Sequence, residues 1–149
     1  MDTLFNLEST INPKGVFIRL LKVKEDIALI LVYRESKLKH LLKSHDVRGF
    51  LAKYGYTDFR LDYCLDILQK HANDKNFPHE IGVFLGYPLC DIQSFIDNKG
   101  KNYKCVGCWK AYFNESEAKK VFALYNKCTK IYCNRAECGY DINRLTVAI

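Results

Sequence analysis

Phe77-Pro78-His79-Glu80-Ile81-Gly82-Val83-Phe84-Leu85-Gly86-Tyr87-Pro88 is the stretch on which the reading of this chain turns. Pro78 suits the first position of a helix, because its missing N–H would go unpaired there and its fixed φ is already helical. The spacing predicts a short helix from Pro78 to about Gly86. Tyr87 precedes Pro88, which disfavours the α region and ends that helix. Pro88 then opens a second helix, with Leu89, Ile92, Phe95 and Ile96 on one face and Gly100 closing it. His79, Gly82, Val83 and Gly86 share a side of the first helix, so an imidazole heads a strip nearly bare of side chains.

Two glycines in one short helix cost roughly 1 kcal/mol each relative to alanine. Either a neighbouring element packs closely against the strip, or a ligand lies on bare backbone beside His79, Glu80 and Tyr87. In the second case His79, Glu80 and Tyr87 are the candidate catalytic groups, and Gly82 and Gly86 the ligand-binding positions. The first turn of a helix favours an anion and lowers a histidine pKa, which would leave His79 a neutral base or ligand.

Pro78-His79-Glu80 followed by Leu85-Gly86-Tyr87-Pro88 resembles the PHE and LGYP motifs of a bacterial family known as a domain of unknown function, met mainly in anaerobic Firmicutes. The resemblance extends to the closing Leu145-Thr146-Val147-Ala148. It implies a small single-domain cytoplasmic protein, and it brings no activity or catalytic residue with it.

Working outward, 149 residues with 48% hydrophobic and 13% aromatic content suffice for one domain with its own core. Residues 1–149 are read as that single domain. The opening Met1-Asp2-Thr3-Leu4 lacks a basic segment leading into a long apolar run, so no secretory signal is expected. The longest apolar run, Ile27 to Tyr33, is too short to span a membrane. Seven cysteines, an odd number, then read as reduced cytoplasmic thiols.

The net charge of +6 divides evenly: residues 1–75 hold 13 basic and 10 acidic side chains, residues 76–149 hold 10 and 7. A nucleic-acid footprint needs clustering on one face, so this balance argues against one. The densest basic group is Lys99, Lys101, Lys104 and Lys110, interleaved with Tyr103, Trp109 and Tyr112.

Gly15 to Val23 and Ile27 to Arg34 read as two strands joined at Lys24-Glu25-Asp26, a hairpin. Ser36 is placed to cap a helix carrying Leu38, Leu41 and Leu42. Another begins near His45-Asp46 with Val47, Phe50 and Leu51, and stops at Gly55. An amphipathic helix after Thr57-Asp58 puts Leu61, Cys64, Leu65, Leu68 and Ala72 on one stripe. Cys64 reads as core, whereas His40, His45 and His71 read as surface residues. Lys101 to Phe113 reads as a strand. Asn114 and Glu117 then form a capping-box variant opening a helix to about Cys133, its buried face Ala118, Val121, Phe122, Tyr125 and Cys128. Leu145 to Ile149 reads as a closing strand. The expected fold is a single layered α+β domain: N-terminal hairpin, several short helices, and a C-terminal strand-helix-strand.

Cys105-Val106-Gly107-Cys108, with Cys128, Cys133 and Cys138 further on, raises a zinc site or a thiol-redox pair. In an extended strand residues 105 and 108 face opposite sides, and they converge only if Val106-Gly107 turns. Residues 128 and 133 diverge on a helix. Ordinary reduced cysteines fit this spacing better, and no metal ligand is assigned. His79-Glu80 lacks the second histidine of HExxH, since Val83 stands in its place. No GxGxxG, GxxxxGK[ST] or GxSxG occurs, so the sequence names no cofactor.

Two readings of function remain. One is a small cytoplasmic pocket protein binding a small molecule, with enzyme activity left open, its site at the Pro78-His79-Glu80 and Leu85-Gly86-Tyr87-Pro88 helix. The other is a non-enzymatic interaction module using the Lys/aromatic strand 101–113. Neither names a ligand, a partner or an oligomeric state.

Overall fold

The computed structural model describes residues 2–148, with side chains from Asn6 onward. The fold is mixed α+β, and the chain divides into two compact units, one ending at Leu85 and joined by Ala148, the other Gly86–Val147. Each is described by itself.

The first unit opens with helix α1, Asp2–Ile11, for which the sequence carries no marked signal, and a 3-10 turn, Asn12–Lys14. Strands β1, Val16–Lys24, and β2, Ile27–Arg34, form the expected antiparallel hairpin, with Glu25 left-handed at its turn (φ 53°). The register slips between Leu20 and Lys22, so Leu21 is a bulge residue. Its side chain is buried, as is Leu31 of β2. Helices α2, Glu35–Leu41, and α3, His45–Ala52, follow, and Leu38, Val47, Phe50 and Leu51 are buried as their spacing predicted. Ser36 lies inside α2 rather than capping it, because the extended residue before the helix is Arg34.

Helix α4, Leu61–Asn73, buries all five residues of its stripe, Leu61, Cys64, Leu65, Leu68 and Ala72. It packs on the hairpin through polar as well as apolar contacts. Arg19 reaches Asp66 and Gln69, Lys22 Nζ donates to Ala72 O (3.0 Å), and Asn73 Nδ2 donates to Leu21 O (2.8 Å). The bulge carbonyl, displaced from the ladder, therefore finds a donor on the last turn of α4. Helix α5, Ile81–Phe84, is only four residues long. The turn still starts at Pro78, whose carbonyl accepts from Ile81 N, while those of His79 and Glu80 accept from Gly82 and Val83 N. The expected helix to Gly86 is thus a 3-10-like turn plus one helical turn.

Cys64 is fully buried, and burial pushes its thiol up to about 11 from an ordinary 9.0, with the charge of Asp58 adding to the effect. A raised thiol pKa means that the unfolded chain loses its proton first as pH rises. The stabilising contribution is complete below pH 9 and is lost as pH climbs through 11. Urea midpoints should therefore fall between pH 8 and pH 10.5, less so in Cys64→Ala; equal slopes in both proteins would remove Cys64 as the cause. In the native protein at pH 8, iodoacetamide should label the exposed Cys90, Cys108, Cys128, Cys133 and Cys138, and reach Cys64 only in denaturant.

The second unit holds α6, Leu89–Asp97; β3, Cys105–Val106; β4, Lys110–Ala111; α7, Glu115–Glu137; and α8, Ile142–Leu145. Gly100 (φ 72°) closes α6 by returning its N–H to Phe95 O (2.8 Å). The expected strand 101–113 is instead a tight antiparallel hairpin, with Cys105 opposite Ala111 and Val106 opposite Lys110. It turns at Gly107, whose N–H donates to Trp109 O (3.0 Å). Gly107 lies flat on Phe122, so a Cβ there would enter the ring of that buried side chain. Gly107→Ala should lower stability by about 1–3 kcal/mol. An unchanged melting midpoint would mean that Phe122 yields freely.

Three further expectations change in α7 and beyond. Asn114 is left-handed (φ 40°) and makes no side-chain cap bond, so the capping box does not form. Ala118 and Phe122 are buried against Ala111, Cys105 and Trp109, but Tyr125 and Cys128 are exposed. The helix outruns the small hairpin that covers it and continues to Glu137. In place of a closing strand, α8 forms because Asp141 Oδ1 caps it by accepting from Arg144 N (2.8 Å). No strand follows among the described residues.

Candidate functional site

The most distinctive chemistry of the first unit converges on Glu80. Its carboxylate is buried, at 2% exposure, and takes hydrogen bonds from two directions. His71 Nδ1 lies 2.6 Å from Oε1, and the Tyr56 hydroxyl lies 3.4 Å from the same oxygen. A buried carboxylate without such partners would be strongly unfavourable.

Each partner is set in place by local structure. His71 belongs to the last turn of α4, the turn that Lys22 and Asn73 tie to the hairpin. Tyr56 follows Gly55, whose left-handed backbone (φ 86°) ends the α3 segment and lets Tyr56 N return to Leu51 O. The Tyr56 ring stands edge-on to the His71 imidazole at 5.7 Å and beside Phe84 at 6.1 Å. Burial, then the neighbouring Glu80 charge, raises the Tyr56 phenol far above its ordinary range, so it stays a donor.

An ionised carboxylate only accepts, so the nitrogen facing Glu80, Nδ1, carries the proton in neutral His71. Nε2 is then the basic nitrogen, on a side chain that retains 27% exposure. A half-open imidazole oriented by a buried carboxylate can accept a proton or a hydrogen bond from a bound molecule. The polar neighbours of His71 suggest a surface residue, but its bond to Glu80 leaves it only partly exposed. The available signal was its position one turn along from Leu68 on a helix whose next turn buries Ala72.

Of the motif residues, Glu80 and Gly82 are buried and His79 is exposed, all in the first unit. Gly86 and Tyr87 open the second. Gly86 is left-handed (φ 76°) with open space where a Cβ would project, so its requirement is backbone conformation rather than close packing. Leucine there would cost about 1–2 kcal/mol through the backbone alone.

In the second unit Tyr87 stacks on Trp109 at 5.2 Å, and Trp109 meets Phe122 edge-on at 4.6 Å. Burial, chiefly, raises the Tyr87 phenol. Beneath this stack lies the second buried carboxylate, Asp91, at 3% exposure. It accepts from Trp109 Nε1 (2.9 Å), Tyr112 N (2.9 Å) and Phe113 N (3.1 Å), and so fixes the return strand of the small hairpin. Lys110 is turned inward: its ammonium donates to Gly100 O (2.8 Å) and lies over the Tyr103 and Phe95 rings. Of the basic residues on 101–113, Lys110 is thus engaged within its own unit, while Lys101 and Lys104 stay exposed, as does neighbouring Lys99.

All seven cysteines are free thiols. Among the described residues, no three His, Cys, Asp or Glu side chains are grouped to hold a metal ion. No described helix is long and apolar enough to cross a membrane.

A family model described as protein of unknown function, DUF3793, matches residues 2–146. The chain belongs to this family. That match takes in both buried carboxylates and the hairpin bulge, and it carries no assigned activity. No curated protein and no solved structure matches the chain.

Proposed function

We propose that this DUF3793 protein binds a small molecule at the face of its first unit formed by His71 and the Pro78-His79-Glu80 turn, with His71 Nε2 as the group that receives a proton or hydrogen bond. The carrying observation is the 2.6 Å bond between His71 Nδ1 and a carboxylate buried to 2%. Burying an acid costs free energy, and this acid is bonded to an imidazole whose side chain keeps 27% exposure. His79, the residue before Glu80, is exposed. Gly82 contributes backbone without a side chain. Seven free thiols support a reducing, cytoplasmic setting.

The test is a fragment library screened against isotopically labelled protein, following the histidine ring and backbone signals. Binders should shift the ring resonances of His71 and His79, and Glu80→Gln should weaken those binders while the fold persists. Binders that leave both rings unmoved and cluster elsewhere would overturn the assignment. The interaction reading of 101–113 makes the opposite forecast, with shifts confined to Tyr103 and Lys104.

A further inference from the structure

α7 is 23 residues long: Ala118 and Phe122 are buried in its first turns, α8 and Tyr140 lie against its other end, and every residue from Ala123 to Glu137 is exposed. Leu124 (56%), Tyr125 (47%), Ile131 (42%) and Tyr132 (43%) are large apolar side chains left in the open, and Cys128 lies among them, also exposed. At 3.6 residues per turn these five occupy an arc of about 120°. A solvated helix carries such residues singly, whereas a contiguous arc calls for a partner surface.

The pattern is its own complement. Measured from Cys128, the apolar positions fall four and three residues before it and three and four after it. A two-fold axis through Cys128 therefore sets Leu124 opposite Tyr132 of a second copy, and Tyr125 opposite Ile131. A closed dimer requires such a self-matching patch. Charge favours one direction. Glu117, 3.4 Å from Lys120, and Arg135, over the Tyr140 ring, lie on one line of the helix, eleven residues before Cys128 and seven after it. Antiparallel pairing about Cys128 brings each Glu117 to within about one turn of the other helix's Arg135, while parallel pairing would oppose like charges. Lys127 and Lys130 fall outside the arc and stay in water.

We propose that α7 pairs with α7 of a second copy of this chain, antiparallel and centred on Cys128. The patch is small beside the roughly 800 Å² per partner of a standard stable interface, so the pair forms and separates with concentration. This inference is independent of the His71 site.

Cross-linking tests it on the full chain. In one variant Cys90, Cys108, Cys133 and Cys138 become serine, leaving Cys128 as the exposed thiol. The counterpart keeps Cys133 and carries Cys128→Ser. Diamide, an azo oxidant, takes two electrons and two protons from a pair of thiols, forming one S–S bond and the corresponding hydrazine. The Cys128 variant should give several-fold more covalent dimer than the Cys133 variant. Adding Leu124→Glu or Tyr132→Glu should bring it down to the Cys133 level. Light scattering of the unoxidised natural chain should show a dimer fraction rising with concentration and lost in Leu124→Glu. Equal cross-linking from the two cysteines, a monomer at every concentration, or a species larger than a dimer would each overturn the proposal.

Discussion

Asp91→Ala should destabilise the second unit by on the order of 3–5 kcal/mol, since removing the carboxylate strands three N–H donors at once. Two are backbone groups, at Tyr112 and Phe113, and the third is the Trp109 indole, so the loss falls on the hairpin and on the ring stack together. Trp109 is the chain's single tryptophan, and its fluorescence therefore reports this site alone. The variant should show red-shifted emission and an early unfolding transition. Asn in place of Asp91 keeps one acceptor oxygen for the two backbone donors but turns an amide towards the indole. Asp91→Asn should therefore cost less, with most of its effect in the tryptophan signal. Native emission and an unchanged urea midpoint in Asp91→Ala would show that water satisfies these donors adequately.

Glu80→Ala should cost roughly 2–4 kcal/mol in the first unit, because it leaves the His71 N–H and the Tyr56 hydroxyl facing a void. Glu80→Gln keeps an acceptor oxygen and should cost only about 1 kcal/mol, the charge-assisted share of the bond. The two variants separate scaffold from chemistry. Both lose the negative charge that favours the Nδ1-protonated form of His71, whereas only the alanine variant is strongly destabilised. Nitrogen chemical shifts of the His71 ring should show a mixed tautomer in Glu80→Gln at a pH where the natural protein shows one. An unmixed tautomer in the glutamine variant would mean that Glu80 holds α4 in place without orienting the imidazole.

The hairpin, α4 and α6 could be read from the chain because each buries a face at a period that propensity and turn residues also support. α7 misled for the same reason: its stripe runs on past Phe122 at helical spacing, and periodicity does not say where the covering surface ends. The short hairpin at 105–111 was hidden because its turn depends on Gly107 lying on Phe122, a contact made fifteen positions along the chain. Half of the candidate site was legible. Glu80 stood out in a motif, but its partners lie nine and twenty-four residues away, and only the packed unit shows that they share one oxygen. The same holds for Asp91, an unremarkable acid in the first turn of a helix until its donors, eighteen to twenty-two residues on, are in place.

The stitches between the bulged hairpin and α4 also bear on the order in which the molecule assembles. The hairpin closes on neighbouring residues and α4 on its own turns, both events of microseconds or less. The Arg19, Lys22 and Asn73 bonds, by contrast, join positions 47 to 52 residues apart, and closing a loop of that length spends chain entropy before any contact repays it. The last turn of α4, and His71 with it, therefore gains its final position only when this closure is complete. The imidazole that defines the candidate site is thus a late acquisition of folding, and a nascent chain acquires it only after the segment through Asn73 has left the ribosome.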